Sequence, residues 1–270
     1  MILLVLTVFS SFFSAAWADG LYFTYGLGVE QWGMISKYCD GQRQSPIDLD
    51  TSIAKNVTEP KRLQLVNAAV NPTKVTVKNN GITVAFALTY PPSKQLVLRG
   101  GPLEGEFKFA GLHFHWGCEH SEDHQRHPME MHLVFYNQDY KTVDEAQFQE
   151  NGLAVLGYFF ANSTKAKNQR WIDSLQSIKK TGSSYTFVHP QYMNIAKLVG
   201  SDLRPYFSYD GSLTTPPCYE TVTWLVHREP LLITNKQLKL FQSLRGKFGY
   251  MRDNYRPIQT LNDREITLYH

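Results

Sequence analysis

The sequence predicts a mainly β (α+β) fold: one mostly antiparallel β domain with a few short helices. Short apolar and β-branched runs recur along the chain, turn signals stand between them, and only two segments show helical spacing. Composition agrees with a folded globular chain. Its 270 residues are 43% hydrophobic and 19% charged, which excludes disorder. A net charge of +3 with no Lys/Arg block gives nucleic-acid binding no footing.

Taken in order, Met1 to Trp17 carries no charged residue. Ala16-Trp17-Ala18 then puts small residues at the two positions a signal peptidase reads. Residues 1–18 are therefore expected to be a signal peptide and residues 19–270 the mature domain. The apolar run is short for a membrane span, and no second one follows, so the expected location is secreted and extracellular. The sequons Asn56-Val57-Thr58 and Asn162-Ser163-Thr164 fit that compartment as glycosylation sites. An oxidising compartment also makes Cys39 and Cys218 candidates for a disulfide. The three cysteines Cys39, Cys118 and Cys218 allow three single pairings.

Lys74–Lys78 alternates as a strand, Ile82–Leu88 is β-branched and apolar, and Asn79-Asn80-Gly81 between them reads as a turn. Further strands are expected at Leu112–Trp116, Met131–Tyr136, Leu153–Phe160 and Thr221–His227. Helices are expected over Asn168–Lys180, from Trp171, Leu175 and Ile178, and over Lys236–Leu244, from Leu240 and Leu244. No repeat, low-complexity segment or linker divides the mature chain.

Six of the nine histidines fall between His113 and His132. In Leu112-His113-Phe114-His115-Trp116 the two histidines stand at i and i+2, so a strand puts both imidazoles on one face. Glu130-Met131-His132-Leu133-Val134 offers a third His on one face with Glu130 and Val134. Three neutral imidazoles from two neighbouring strands form the ligand set of a catalytic Zn²⁺ whose fourth position stays open. His124 and His127 lie in a polar run that reads as a solvated turn.

His113-Phe114-His115-Trp116-Gly117, Pro128-Met129-Glu130-Met131-His132-Leu133-Val134 and Gly211-Ser212-Leu213-Thr214-Thr215-Pro216-Pro217 resemble the α-class carbonic anhydrases. The likeness runs from Tyr25-Gly26 through Gly41-Gln42-Arg43-Gln44-Ser45-Pro46-Ile47 to Asn254-Tyr255-Arg256-Pro257. It implies a single domain around a large twisted, mostly antiparallel sheet with short peripheral helices. It also implies reversible hydration of CO₂ to bicarbonate and a proton by zinc-bound hydroxide, with Zn²⁺ as cofactor and His113, His115 and His132 as ligands. Thr214 matches the residue that accepts a hydrogen bond from the hydroxide and donates its own proton to a Glu carboxylate. Thr215 matches a residue lining the site. Val134, Val155, Leu213, Val222 and Trp224 match the apolar wall that holds CO₂. Glu130 matches the support of His132, and Asn254 belongs to the supporting shell. Tyr25 matches a residue that orders active-site water. Likeness to secreted members favours the pairing Cys39–Cys218, which leaves Cys118 as a free thiol, a metal ligand or an intermolecular link. A monomer is expected, with a Cys118-linked dimer as the alternative. The rival functional reading is a catalytically silent carbonic-anhydrase-like binding or matrix protein.

The chain departs from the family pattern at several points. The family has several more residues between its Trp-Gly and its Ser-Glu-His. Here Cys118-Glu119-His120 follows Gly117 directly, and Ser121-Glu122 competes with it. Glu119 stands eleven residues before Glu130, the family spacing, so Glu119 is expected to serve Thr214 with His120 beside it. Ile82 stands where the most active members carry a proton-shuttling His. Gly111 stands where a Gln often orients the first ligand.

Overall fold

A computed structural model describes residues 23–58, 61–166 and 169–270. The predicted signal peptide lies outside the described residues. The main sheet contains twelve strands. From one edge it runs Ser184–Thr186, Lys74–Asn79, Val84–Thr89, Glu106–Trp116, Met129–Asn137, Leu153–Asn162, Val222–Ile233, Tyr206–Gly211, Thr267–Tyr269 and Lys55–Val57. Gln64–Val66 and Val97–Arg99 form a side branch on Glu106–Trp116. Most pairs are antiparallel. Leu153–Asn162 with Val222–Ile233, and Thr267–Tyr269 with Lys55–Val57, are parallel.

The alternation of side chains in the central strands sorts residues into two cores. Leu112, Phe114, Trp116, Met131, Leu133, Ala154 and Leu156 enter the larger core on one face. Val134, Val155, Val222 and Trp224 enter the other. His113, His115, Glu130 and His132 occupy the positions between the first set, so they share the second face. The fold therefore delivers the three imidazoles together because the intervening residues are apolar and buried. Gly157 stands opposite His132, and a Cβ there would approach Glu130 Oε1 to 3.3 Å. Its missing side chain leaves room for that carboxylate.

The expected strands and turn are present with shifted ends. The strand expected from Ile82 starts at Val84, because Asn80 Oδ1 accepts the N–H groups of Ile82 and Thr83 and holds them in the turn. Leu112–Trp116 is the end of an eleven-residue strand whose register shifts between Phe109 and Gly111. The helix expected over Asn168–Lys180 is an α-turn at Arg170–Asp173 followed by a 3₁₀ segment at Ser174–Ile178, with Trp171, Leu175 and Ile178 buried. The last helix spans Asn235–Gln242 behind a Thr234 capping box. Its inner face is Leu238 and Phe241, and Leu244 is buried beyond its end.

Candidate metal centre and active site

His113 and His132 are register partners on neighbouring strands, and His115 follows two residues along. The ligand nitrogens of the three lie within 4.8 Å of one another. Their protonation can be read from their partners. His115 Nδ1 lies 2.7 Å from the Asn254 carbonyl oxygen, which only accepts, so Nδ1 carries the proton and Nε2 keeps a lone pair. His132 Nε2 lies 2.8 Å from Glu130 Oε1, so that nitrogen donates and Nδ1 keeps its lone pair. His132 Nδ1 in turn lies 3.3 Å from His113 Nε2, and His115 Nε2 is buried without a hydrogen-bond partner. Burial, with repulsion from neighbouring histidines (His120 in the case of His132), holds all three imidazoles below their usual pKa, His115 at about 3. Neutral imidazoles aiming lone pairs at one point fit a divalent cation with nitrogen preference.

Support behind His132 is dense. Glu130 Oε1 also receives His120 Nδ1 at 2.7 Å, and Oε2 accepts the N–H groups of Glu119 and His120, each at 2.9 Å. Burial alone would raise the Glu130 pKa, but His120 and His132 outweigh it and hold the carboxylate well below its usual range. His120 Nε2 reaches Tyr209 Oη at 2.6 Å, and Tyr209 donates to Ser45 Oγ at 2.9 Å. Sequence reasoning missed Tyr209 and Ser45, which carry no motif tying them to His120. Asn254 performs two tasks. Its carbonyl holds His115, and its side chain accepts from Trp116 N–H at 2.8 Å while donating to the Ile82 and Phe114 carbonyls at 3.0 Å.

Glu119 is fully buried, and its Oε1 accepts the Arg256 N–H at 2.9 Å. Burial drives its pKa up, opposed by the nearby Thr214 hydroxyl and by Arg256, and its Oε2 is buried without a hydrogen-bond partner, 3.3 Å from His115 Nε2. Glu122 lies elsewhere, 2.6 Å from Arg228 in an outer ion pair. The structure therefore brings Glu119, and not Glu122, to Thr214. Arg256 was quoted only within its motif. Its guanidinium donates to the Gln44 side chain and to the Ser45 and Cys39 carbonyls, which ties the Glu119 region to the disulfide.

A cavity of about 60 Å³ opens over the triad. Val134, Val155, Leu213, Thr214, Thr215 and Trp224 line it, as do Tyr25 and Ile82. Val222 is buried in the same apolar cluster as Val134, Val155, Leu213 and Trp224. Phe23 and Gln147 line it without any signal in the sequence.

Cys39 and Cys218 are bridged, with Cα atoms 4.9 Å apart, and Cys218 N–H bonds back to the Thr215 carbonyl. Cys118 is fully buried, with Sγ 3.0 Å from Glu130 Oε2. That thiol lies inside the fold and faces a carboxylate. His124 is exposed and paired with Asp48 at 2.8 Å. His127 is more than a solvated residue, since its ring stacks on Phe159 at 4.9 Å.

Comparison with known proteins decides the family. The family model described as eukaryotic-type carbonic anhydrase matches residues 27–270. The chain belongs to the carbonic anhydrase family. It is 35% identical to mouse (Mus musculus) carbonic anhydrase 6 over 254 residues, covering 89% of this chain and 78% of that protein. Mouse carbonic anhydrase 3 is 36% identical over 256 residues, covering 88% and 94%. Mouse carbonic anhydrase 7 is 34% identical over 254 residues, covering 88% and 93%. Within this carbonic anhydrase, Ile82 stands at the cavity mouth and Gly111 at the register shift before His113.

Proposed function

We propose that this chain reversibly hydrates CO₂ to bicarbonate and a proton, using one zinc ion held by His113, His115 and His132. The observation that carries the reading is the convergence of three neutral imidazoles whose outward nitrogens, at His115 and His132, already donate to fixed acceptors. When bound, zinc lowers the pKa of a coordinated water to about 7, a behaviour for which carbonic anhydrases are themselves the type case.

The chain's own residues do the rest. Asn254 and Glu130 fix which nitrogen of His115 and of His132 is free to ligate. In this reading Thr214 donates to Glu119 Oε2, an oxygen that no other group satisfies, so its hydroxyl oxygen accepts from the attacking water and turns that water's lone pair away from Thr214. Val134, Val155, Leu213 and Trp224 give a substrate without net charge an apolar surface to rest on, and Thr215 and Tyr25 add polar edges. Family membership and the intact triad leave the silent binding-protein reading unfavoured.

We also propose that residues 1–18 are removed as a signal peptide, that the mature protein is a secreted monomer, and that Asn56 and Asn162 are glycosylated. The disulfide suits an oxidising compartment, and both asparagines are exposed. Among the described residues no helix is long and apolar enough to cross a membrane. The test of the catalytic reading is CO₂ hydration by the purified zinc-loaded protein, with a sulfonamide as active-site probe. Hydration that the sulfonamide abolishes is expected, and hydration indifferent to it refutes the site.

A further inference from the structure

Five donors converge on the Glu130 carboxylate. Oε1 takes His132 Nε2 at 2.8 Å and His120 Nδ1 at 2.7 Å. Oε2 takes three consecutive residues: Cys118 Sγ at 3.0 Å and the N–H groups of Glu119 and His120, each at 2.9 Å. A carboxylate offers about four lone-pair sites, so this set leaves the group no second orientation. Without such a grip the last torsion of a Glu side chain is broad, and so is the ring torsion of the His132 that depends on it.

Cys118 supplies the one side-chain donor on Oε2. The Gly117 N–H bonds to the Pro128 carbonyl at 3.0 Å and the Cys118 N–H to the His127 carbonyl at 3.2 Å. Those two bonds close the loop between the strands that carry the histidines and present Sγ to Oε2. The thiol is fully buried, so water does not compete for its proton. An S–H group is a weak donor, but an ionised acceptor roughly doubles the strength of a hydrogen bond. Burial, and after it the Glu130 charge, holds the thiol well above its usual pKa, so it keeps the proton that it donates. With Cys39 and Cys218 bridged, Cys118 is the only free thiol of the chain.

We propose that Cys118 is a positioning residue of the metal centre: its S–H fixes the plane of the Glu130 carboxylate, which keeps Oε1 on His132 Nε2 and the His132 Nδ1 lone pair on the ion. When Oε2 loses this donor, the carboxylate gains rotational freedom, the His132 ring follows it, and the ion is held less firmly. The consequence for the ion rests on the zinc reading. The hydrogen bond does not, so the two fail separately.

Infrared spectroscopy of the zinc-loaded protein reads the bond directly, because a chain with one thiol gives one S–H stretching band, in a window clear of other protein bands. Donation to a carboxylate weakens the S–H bond and lowers that frequency. The band should lie below that of the same chain unfolded by heat, where the thiol meets water, and it should vanish in Cys118→Ser. Zinc release to a chelator, followed by a coloured indicator, gives the consequence. It should be up to about tenfold faster from Cys118→Ala than from the unaltered protein. Cys118→Ser loses the same sulfur but keeps a donor, and its release should stay within about twofold of the unaltered rate. A band no lower than that of the unfolded chain overturns the proposal without any substitution. Equal acceleration in the Ala and Ser variants assigns the effect to lost volume, and no acceleration in Cys118→Ala shows that Glu130 needs no thiol; either overturns the positioning role. A zinc-loaded protein that hydrates no CO₂ would sink the hydration reading and leave the S–H band where it is.

Discussion

At the floor of the cavity, the outward nitrogens of His115 and His132 donate to Asn254 and Glu130, and Glu130 is itself held by His120 and two backbone N–H groups. Toward the mouth, Tyr25 Oη is buried without a hydrogen-bond partner, and Ile82, which also lines the cavity, carries no group that moves a proton. The floor is over-determined and the mouth is permissive. Such a division fits a reaction whose chemistry demands one geometry while its proton leaves by any available carrier. Substitutions at the floor should therefore be severe, and those at the mouth should change rate without harming the metal.

His132→Ala should have the largest effect, removing both stoichiometric zinc and hydration, as read by metal analysis and a stopped-flow assay. Retained zinc would break the floor's claim at once. Next in size, Glu119→Gln should lower hydration about 10²-fold with little change in fold, because an amide nitrogen cannot accept from Thr214. Glu122→Gln, paired only with Arg228, should leave the rate alone. Equal losses in the two variants would mean that Glu119 has been given the wrong task.

The metal-free protein offers a pH test of the same floor. His113, His115 and His132 have folded pKa values below their ordinary 6.5, so the unfolded chain takes up protons that the folded chain refuses. Stability should thus fall as pH drops from about 6.5 toward 3, by up to about 1.4 kcal/mol per unit for each His. Glu130, held low, adds to this loss below its ordinary 4.5. Glu119, raised by burial, works the other way, since its contribution is present at low pH and fades as pH rises past 4.5. A melting temperature that stayed flat from pH 6.5 to 4 would contradict three buried neutral imidazoles.

At the mouth, Ile82→His should speed turnover in weak buffer by about tenfold, and imidazole buffer should do much the same for the unaltered chain. A fast rate independent of buffer would show that another group already moves the proton. Smallest of all, Gly111→Gln should slow zinc loss by no more than about tenfold. Its Cβ would meet the Phe86 carbonyl at 3.4 Å, so the backbone tolerates it. Unchanged zinc affinity would mean that His113 needs no further orientation.

The clustered imidazoles were legible because a strand turns i and i+2 into one face, so the spacing of His113 and His115 carries geometry in itself. Glu119 was legible only through its spacing to Glu130 in a family pattern. The network behind them was not, because Tyr209 and Ser45 reach His120 across sheet neighbours that no local pattern specifies. Strand order escaped for the same reason: Leu153–Asn162 and Val222–Ile233 pair in parallel across more than sixty residues, and neither segment encodes its partner. Helix ends failed where local competition decided. Apolar spacing put Leu244 on the last helix, whereas the Thr234 capping box fixes its start and it closes at Gln242.

Zinc removal with stepwise reconstitution decides whether hydration depends on the metal. The purified protein should lose CO₂ hydration on chelation and recover it in proportion to zinc, reaching full activity at one ion per chain. A fully reconstituted protein, one zinc bound per chain, that hydrates no CO₂ would contradict zinc-dependent hydration.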